Sequence, residues 1–384
     1  MSDRFTDVSS QGWFSRIRDA IVGVLFGIAL FLVSFPLLWW NEGRAVRAAE
    51  DLAEGRAAVV QIQADKVDAA NEGKLVHVTG RADTEDRLAD PELGIDIQAL
   101  RLERVVEMYQ WKEEEETKTR KKVGGGEEKT TTYEYEKKWS DDLIDSSDFK
   151  KSEGHENPKS MHARNLEKDA KSVQLVAFSL PGSVVKQLDS FESVPVKEIS
   201  SGAFESKGRV VDGQVYIGEG TPQEPKVGDT RVTVRAVMPG DISLIMQQSG
   251  NSFAPYLTKN QNTIDMVMDG RHTAEEMFAH QETMNSMLTW GLRILGCFLM
   301  FLGISLFFKP LVVVADVIPM FGSLLEFGLS AMASVVAFCL SLLTISMAWI
   351  AYRPLIGIPL MAVSLGLFFW ILSAGRRRMS ARTA

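Results

Sequence analysis

The sequence predicts an α+β membrane protein: four transmembrane helices, one N-terminal and three C-terminal, bracket a large β-rich extracytoplasmic domain. Three observations predict it. Apolar residues crowd the two ends of the 384-residue chain, although the overall hydrophobic fraction is an ordinary 45 %. Short strand-like runs fill the middle. Charge is partitioned as well, with 32 Lys and Arg against 45 Asp and Glu between Asn41 and Met287, a net of −13. An acidic middle excludes a nucleic-acid partner, because phosphate neutralisation needs a clustered basic surface. Cys297 and Cys339 both fall in apolar runs, so the middle contains no disulfide.

Residues 1–19 form a cytoplasmic N-terminus, followed by a first span at 20–40. That span is uncharged and ends in Leu37-Leu38-Trp39-Trp40, an aromatic interfacial anchor. A cleaved signal peptide is the alternative, but the run is too long and lacks a nearby small-x-small site. A second span covers 288–308. Its single charge, Arg293, reaches the interface beside Trp290. Third and fourth spans at 327–351 and 354–375 form a hairpin about Tyr352-Arg353. A basic tail at 376–384 carries Arg376, Arg377 and Arg378. Arg16 and Arg18 before the first span, Lys309 after the second and the basic tail place both termini in the cytoplasm. Arg44, Arg47 and Arg353 dissent. Between the second and third spans, 309–326 has helical apolar spacing broken by Asp316 and Pro319. It reads as a bent amphipathic interfacial helix, with a re-entrant loop as the alternative.

Residues 41–287 make up the periplasmic or lumenal domain. Strand-like runs cover 57–63, 74–81, 172–180, 209–217, 230–238 and 242–248, with turn signals such as Asp212-Gly213 between them. Helical patterns at 42–54 and 273–285 continue the first two spans, and a short helix covers 182–191. Around 104–139, aromatics at period two (Tyr109 and Trp111, then Tyr133, Tyr135 and Trp139) predict a long charged hairpin with a mobile tip at Gly124-Gly125-Gly126. A disordered charged loop is the other reading.

Chemical motifs are sparse. The triple glycine lacks the Lys-Ser/Thr and helix of a phosphate loop, and no catalytic, cofactor or metal site is expected. His272, Glu276 and His280 fall at i, i+4 and i+8, which a solvated helix face explains more simply than a metal. His155, in Gly154-His155-Glu156-Asn157-Pro158, reads as a structural hydrogen-bonding residue. Gly23-x-x-x-Gly27 permits close helix approach, to this chain or to a second copy.

Several stretches in order resemble the LUMA family, the transmembrane-protein-43 family of nuclear-envelope and bacterial membrane proteins. They are Trp40-Asn41-Glu42-Gly43-Arg44-Ala45, Asn71 to His77, Val106 to Trp111, Tyr133-x-Tyr135-x-x-x-Trp139 and Gly154-His155-x-Asn157-Pro158. Val227-Gly228-Asp229-x-Arg231-Val232, Thr289-Trp290-Gly291-Leu292-Arg293 and Tyr352-Arg353-Pro354 complete the set. The resemblance implies four spans and a non-enzymatic scaffold that self-associates as a homo-oligomer and organises other membrane proteins, lamins and emerin among them in animals. It implies a bacterial inner-membrane location, or in a eukaryote the endoplasmic reticulum and inner nuclear membrane. The charged hairpin and the arginine tail depart from the animal pattern. Two other classes remain as expectations: a channel whose selectivity rings are Arg293 or Asp316, and an envelope hydrolase working through His155 or His77.

Overall fold

The computed structural model describes residues 3–200, 204 and 208–366. The chain divides into two compact units. One comprises residues 1–6, 51–116 and 132–279; the other comprises 7–50, 117–131 and 280–384.

The first unit is β-rich. The principal strands are β1 (Asp3–Gln11), β2 (Leu75–Thr84), β3 (Arg101–Lys121), β4 (Glu127–Ser140), β5 (Thr230–Val237) and β6 (Gly240–Ser249); residues 7–11 of β1, 117–121 of β3 and 127–131 of β4 belong to the second unit. Among the described residues one sheet follows the order β1, β4, β3, β5, then 214–217 and 208–211. A second sheet is built on β2 and β6, with 173–175, 178–180 and 252–254 extending it. The pairings are antiparallel and long: β5 meets β3 from Thr230↔Met108 to Val237↔Arg101, and β6 meets β2 from Gly240↔Ala82 to Gln247↔Leu75. Strict alternation explains this register. Val232, Val234 and Ala236 are buried in one core with Leu102 and Val106, while Arg231 and Arg235 turn outward to pair with Glu107 and Glu103. A second core packs Val76, Val78, Leu175, Phe178, Leu244 and Phe253. At Asp212-Gly213 both residues have positive φ, 50° and 78°, as a two-residue hairpin turn requires. That turn splits the predicted run 209–217 into two strands, and a residue at positive φ, Val176, splits 172–180 likewise.

The helices are longer than the spans read from hydropathy. Helix α1 is Trp13–Ala58, α2 is Ala274–Ala315, α3 is Pro319–Tyr352 and α4 is Pro354–Gly366. The first three are long and apolar enough to cross a membrane. At 1.5 Å per residue α1 runs about 69 Å, over twice the ~30 Å of hydrocarbon, so polar turns extend beyond its apolar stretch. The fourth predicted span, 354–375, is helical through 366; its remainder and Arg376–Arg378 lie outside the described residues.

The segment 309–326 is divided between two helices. Helix α2 continues through Pro310 to Ala315, a short turn holds Asp316, and α3 begins at Pro319. His272 stands before the first turn of α2, with its Nδ1 4.0 Å from Glu276 and its Nε2 facing the Asp269 carbonyl at 2.9 Å.

Candidate functional site

Within the helical unit, polar side chains converge at two levels. The first is a layer joining α1, α2 and α3. Glu42 has no exposed surface. Arg293 donates Nε and Nη2 to its two carboxylate oxygens, both at 2.7 Å, in the planar fork that guanidinium and carboxylate favour. Trp349 Nε1 donates to the same carboxylate at 2.6 Å. One turn away, Asn41 Nδ2 donates to the Thr289 carbonyl at 3.0 Å, and Arg44 donates to Asn285 Oδ1 and Thr289 Oγ1, each at 2.8 Å. Gly43 is small for a reason: a β-carbon there would collide with the Tyr352 ring.

This layer gives Arg293 a partner. Its guanidinium stacks over Trp290, at 4.8 Å, and its charge is paired with Glu42. Sequence reasoning missed Glu42, Asn41 and Trp349. The available signal was a lone carboxylate directly after an apolar span, with a lone arginine near the start of the next. Trp39, Trp40 and Trp290 are exposed, and Arg353 follows the C-terminus of α3.

Deeper along the helices α1 and α2 touch backbone to backbone. A β-carbon at Gly27 would lie 2.9 Å from the Gly303 carbonyl oxygen, and one at Gly303 would lie 2.7 Å from that of Gly27. Gly23 is 3.9 Å from the Leu306 side chain by the same measure. The partner of the Gly23–Gly27 face is therefore α2 of the same chain.

The second level gathers the start of α1, the hairpin tip and the α2–α3 turn. Arg16, almost wholly buried, donates to Asp316 Oδ2 and to the Gly125 carbonyl, each at 2.6 Å, and pairs with Glu127 at 3.0 Å. Lys121 lies 2.8 Å from Asp316 and 2.7 Å from Glu326, which Lys309 also approaches, at 3.1 Å. Trp13 Nε1 donates to the Val313 carbonyl and covers Gly125, whose φ is +80°. The tip is thus packed at Gly125, while Val123 beside it stays exposed. The sequence reading puts the hairpin on the opposite bilayer face from residues 1–19 and 309–326. In the structure the tip shares ion pairs with both segments.

In the β-rich unit His155 and His77 are engaged structurally. His155 stacks on Tyr135 at 3.9 Å and meets Trp111 edge-on at 4.7 Å, while its ring nitrogens lie 3.0 Å from the Lys151 carbonyl and from Asp3. Tyr135 donates to Glu113, and burial with that carboxylate pushes its hydroxyl up to about 12. Asn157 bridges the chain, accepting from Trp111 N–H and donating to the carbonyls of Trp111 and Ile144. His77 faces the His272 carbonyl through Nε2 at 3.0 Å. Among the described residues no group of three His, Cys, Asp or Glu is arranged to hold a metal ion.

The stretches that carried the resemblance in the sequence supply these contacts. Residues 40–45, 289–293 and 352 build the layer around Glu42, and 106–111, 154–158 and 227–229 meet around Tyr109 and Trp111. The model of a family described as Transmembrane protein 43 matches residues 108–354. Curated relatives called Transmembrane protein 43, from Homo sapiens and Mus musculus, are each 34 % identical to this chain. The matches run over 358 and 363 residues, covering 90 and 92 % of this chain and 88 and 90 % of theirs. A Transmembrane protein 43 homolog from Drosophila melanogaster is 29 % identical over 354 residues, 90 % of this chain and 93 % of its own. No solved structure matches.

Proposed function

The chain belongs to the transmembrane protein 43 family, and from that premise we propose a multi-pass membrane scaffold that self-associates and organises membrane-protein complexes. One observation carries the reading: at both polar levels, ion pairs and hydrogen bonds join separate elements. Glu42, Arg293 and Trp349 bind three helices to one another, which makes a rigid platform. A platform is what a scaffold needs. Its expected signature is higher-order species in cross-linking and native mass spectrometry from mild detergent; a strict monomer with no co-purifying protein overturns it. The membrane that holds it, bacterial inner membrane or endoplasmic reticulum and inner nuclear membrane, is read by fractionating the source cells.

The same observation argues against the other classes. A pore selective through Arg293 or Asp316 needs those charges facing water, whereas each is held by an opposite charge. Purified protein in planar bilayers is expected to conduct no more than the empty bilayer. A hydrolase needs a histidine nitrogen free to take a proton. Both nitrogens of His155 are engaged, and His77 is buried in the sheet.

Residues 13–19, the hairpin tip and the α2–α3 turn are proposed to face one compartment, the cytoplasm, since Arg16, Arg18 and Lys309 are gathered there.

A further inference from the structure

Helices α2, α3 and α4 enclose a slot of about 850 Å³. Its walls are apolar, formed by Ile294, Phe298 and Phe301 of α2, Phe338 and Ile345 of α3, and Leu360 of α4. Among the described residues the one charged lining residue, Arg293, lies at one end with the indoles of Trp290 and Trp349, while the hydroxyls of Ser334 and Ser341 lie along the wall. From Trp349 to Ser334 the wall runs about 22 Å at 1.5 Å per residue, from the polar layer into the apolar stretch. Two of its walls, α2 and α3, are helices long and apolar enough to cross a bilayer, which makes lipid the medium expected to enter.

The polar end selects the headgroup. Glu42 takes Nε and Nη2 of Arg293, which leaves the Nη1 protons for another acceptor. The neighbouring Arg44 hydrogen-bonds neutral partners, Asn285, Asn41 and Thr289. Glu42, Arg44 and Arg293 together therefore carry one negative and two positive charges. An amphiphile with an anionic head complements that excess, and its apolar tail complements the walls.

We infer that this slot is a binding site for an acyl chain of an anionic phospholipid, whose phosphate accepts from Arg293. Native mass spectrometry of the full chain, with phosphatidylglycerol and phosphatidylcholine of identical chains added in equal amounts, tests it. One phosphatidylglycerol per chain is expected to survive collisional activation that strips phosphatidylcholine. Both phosphates can accept from Arg293, so the preference comes from net charge. The choline cation cancels the phosphate of phosphatidylcholine, whereas phosphatidylglycerol keeps its negative charge to meet the excess of Arg44 and Arg293 over Glu42. About a tenfold preference is expected. Cys297→Trp, which fills the slot, removes the retained lipid. A second measurement does not depend on that variant folding. In a Cys339→Ala background, alkylation of Cys297 by a lipid-soluble maleimide slows when phosphatidylglycerol is added and not when phosphatidylcholine is. Equal retention of the two lipids overturns the assignment. So does retention undiminished by Cys297→Trp in a variant of unchanged helical content, or an alkylation rate indifferent to phosphatidylglycerol. None of these readouts depends on oligomeric state, so the scaffold reading stands or falls separately.

Discussion

A carboxylate withdrawn from water costs several kcal/mol unless its charge is met, and Glu42, with no exposed surface, is met by the fork of Arg293 and the indole of Trp349. Removing one partner of such a pair strands the other. Glu42→Ala is expected to cost about 3–5 kcal/mol, read as a lowered unfolding midpoint in detergent. The double variant Glu42→Ala/Arg293→Met should recover most of it, because it leaves no buried charge. A double variant no more stable than the single one would show that the pair contributes through something other than charge. His77 makes a pH-dependent prediction in the β-rich unit. Its Nε2 faces a carbonyl, which only accepts, so the proton sits there; Nδ1 is buried with no hydrogen-bond partner among the described residues. Burial pushes this imidazole below its usual value of about 6.5. The unfolded chain then binds the proton more readily than the folded one, so stability is complete above pH 6.5 and declines as pH falls through the folded value. Chemical denaturation of the protein between pH 5 and 7.5 should show this slope, and His77→Gln should flatten it.

The elements were legible wherever a local pattern decides them. Alternation in 230–238 gave the strand Thr230–Val237, because one face of it is core and the other is paired arginine. Apolar runs, uncharged apart from Arg293, gave the apolar parts of α1, α2 and α3. What escaped was decided by distant partners. Asp316 looked like a break in an amphipathic helix because nothing near it in sequence is basic enough to neutralise it; its partners are Arg16 and Lys121. The glycine tip looked mobile for the same reason, since Trp13, which covers it, lies over a hundred residues away. Gly23-x-x-x-Gly27 announced a close approach but not its partner, which is Gly303. Two predictions belong to this scale. Gly303→Leu drives a side chain into the backbone of α1 and is expected to cost more than about 3 kcal/mol, at the upper end of overpacking; Gly291→Leu, at a position with open space, should be near neutral. At the tip, Gly125→Val combines a strained positive φ with a clash against Trp13. It should raise the rate of trypsin cleavage after Lys121 and Lys122 while leaving the β-rich unit protected. An unchanged cleavage rate would mean that Trp13 does not hold the tip.

At the scale of the whole molecule the question is which parts share a compartment. Bilayer hydrocarbon admits no unpaired charged strand, so residues joined by short ion pairs lie on one side of it or within one shielded layer. Arg16 connects the N-terminal segment to Glu127 of the tip and to Asp316 of the α2–α3 turn, and Lys121 connects the tip to the same aspartate. Three segments far apart in sequence are therefore tied into one polar level. The expected outcome follows directly. With Cys297 and Cys339 replaced, single cysteines at Ser9, Val123 and Ser323 report the N-terminal strand, the tip and the start of α3; all three positions are exposed. A membrane-impermeant maleimide should label all three in everted vesicles and none in intact spheroplasts. Ser9 and Ser323 labelled from one side with Val123 labelled from the other would sink the shared level. In that case the hairpin would face the opposite compartment, and Arg16 and Asp316 would have to be held by each other alone.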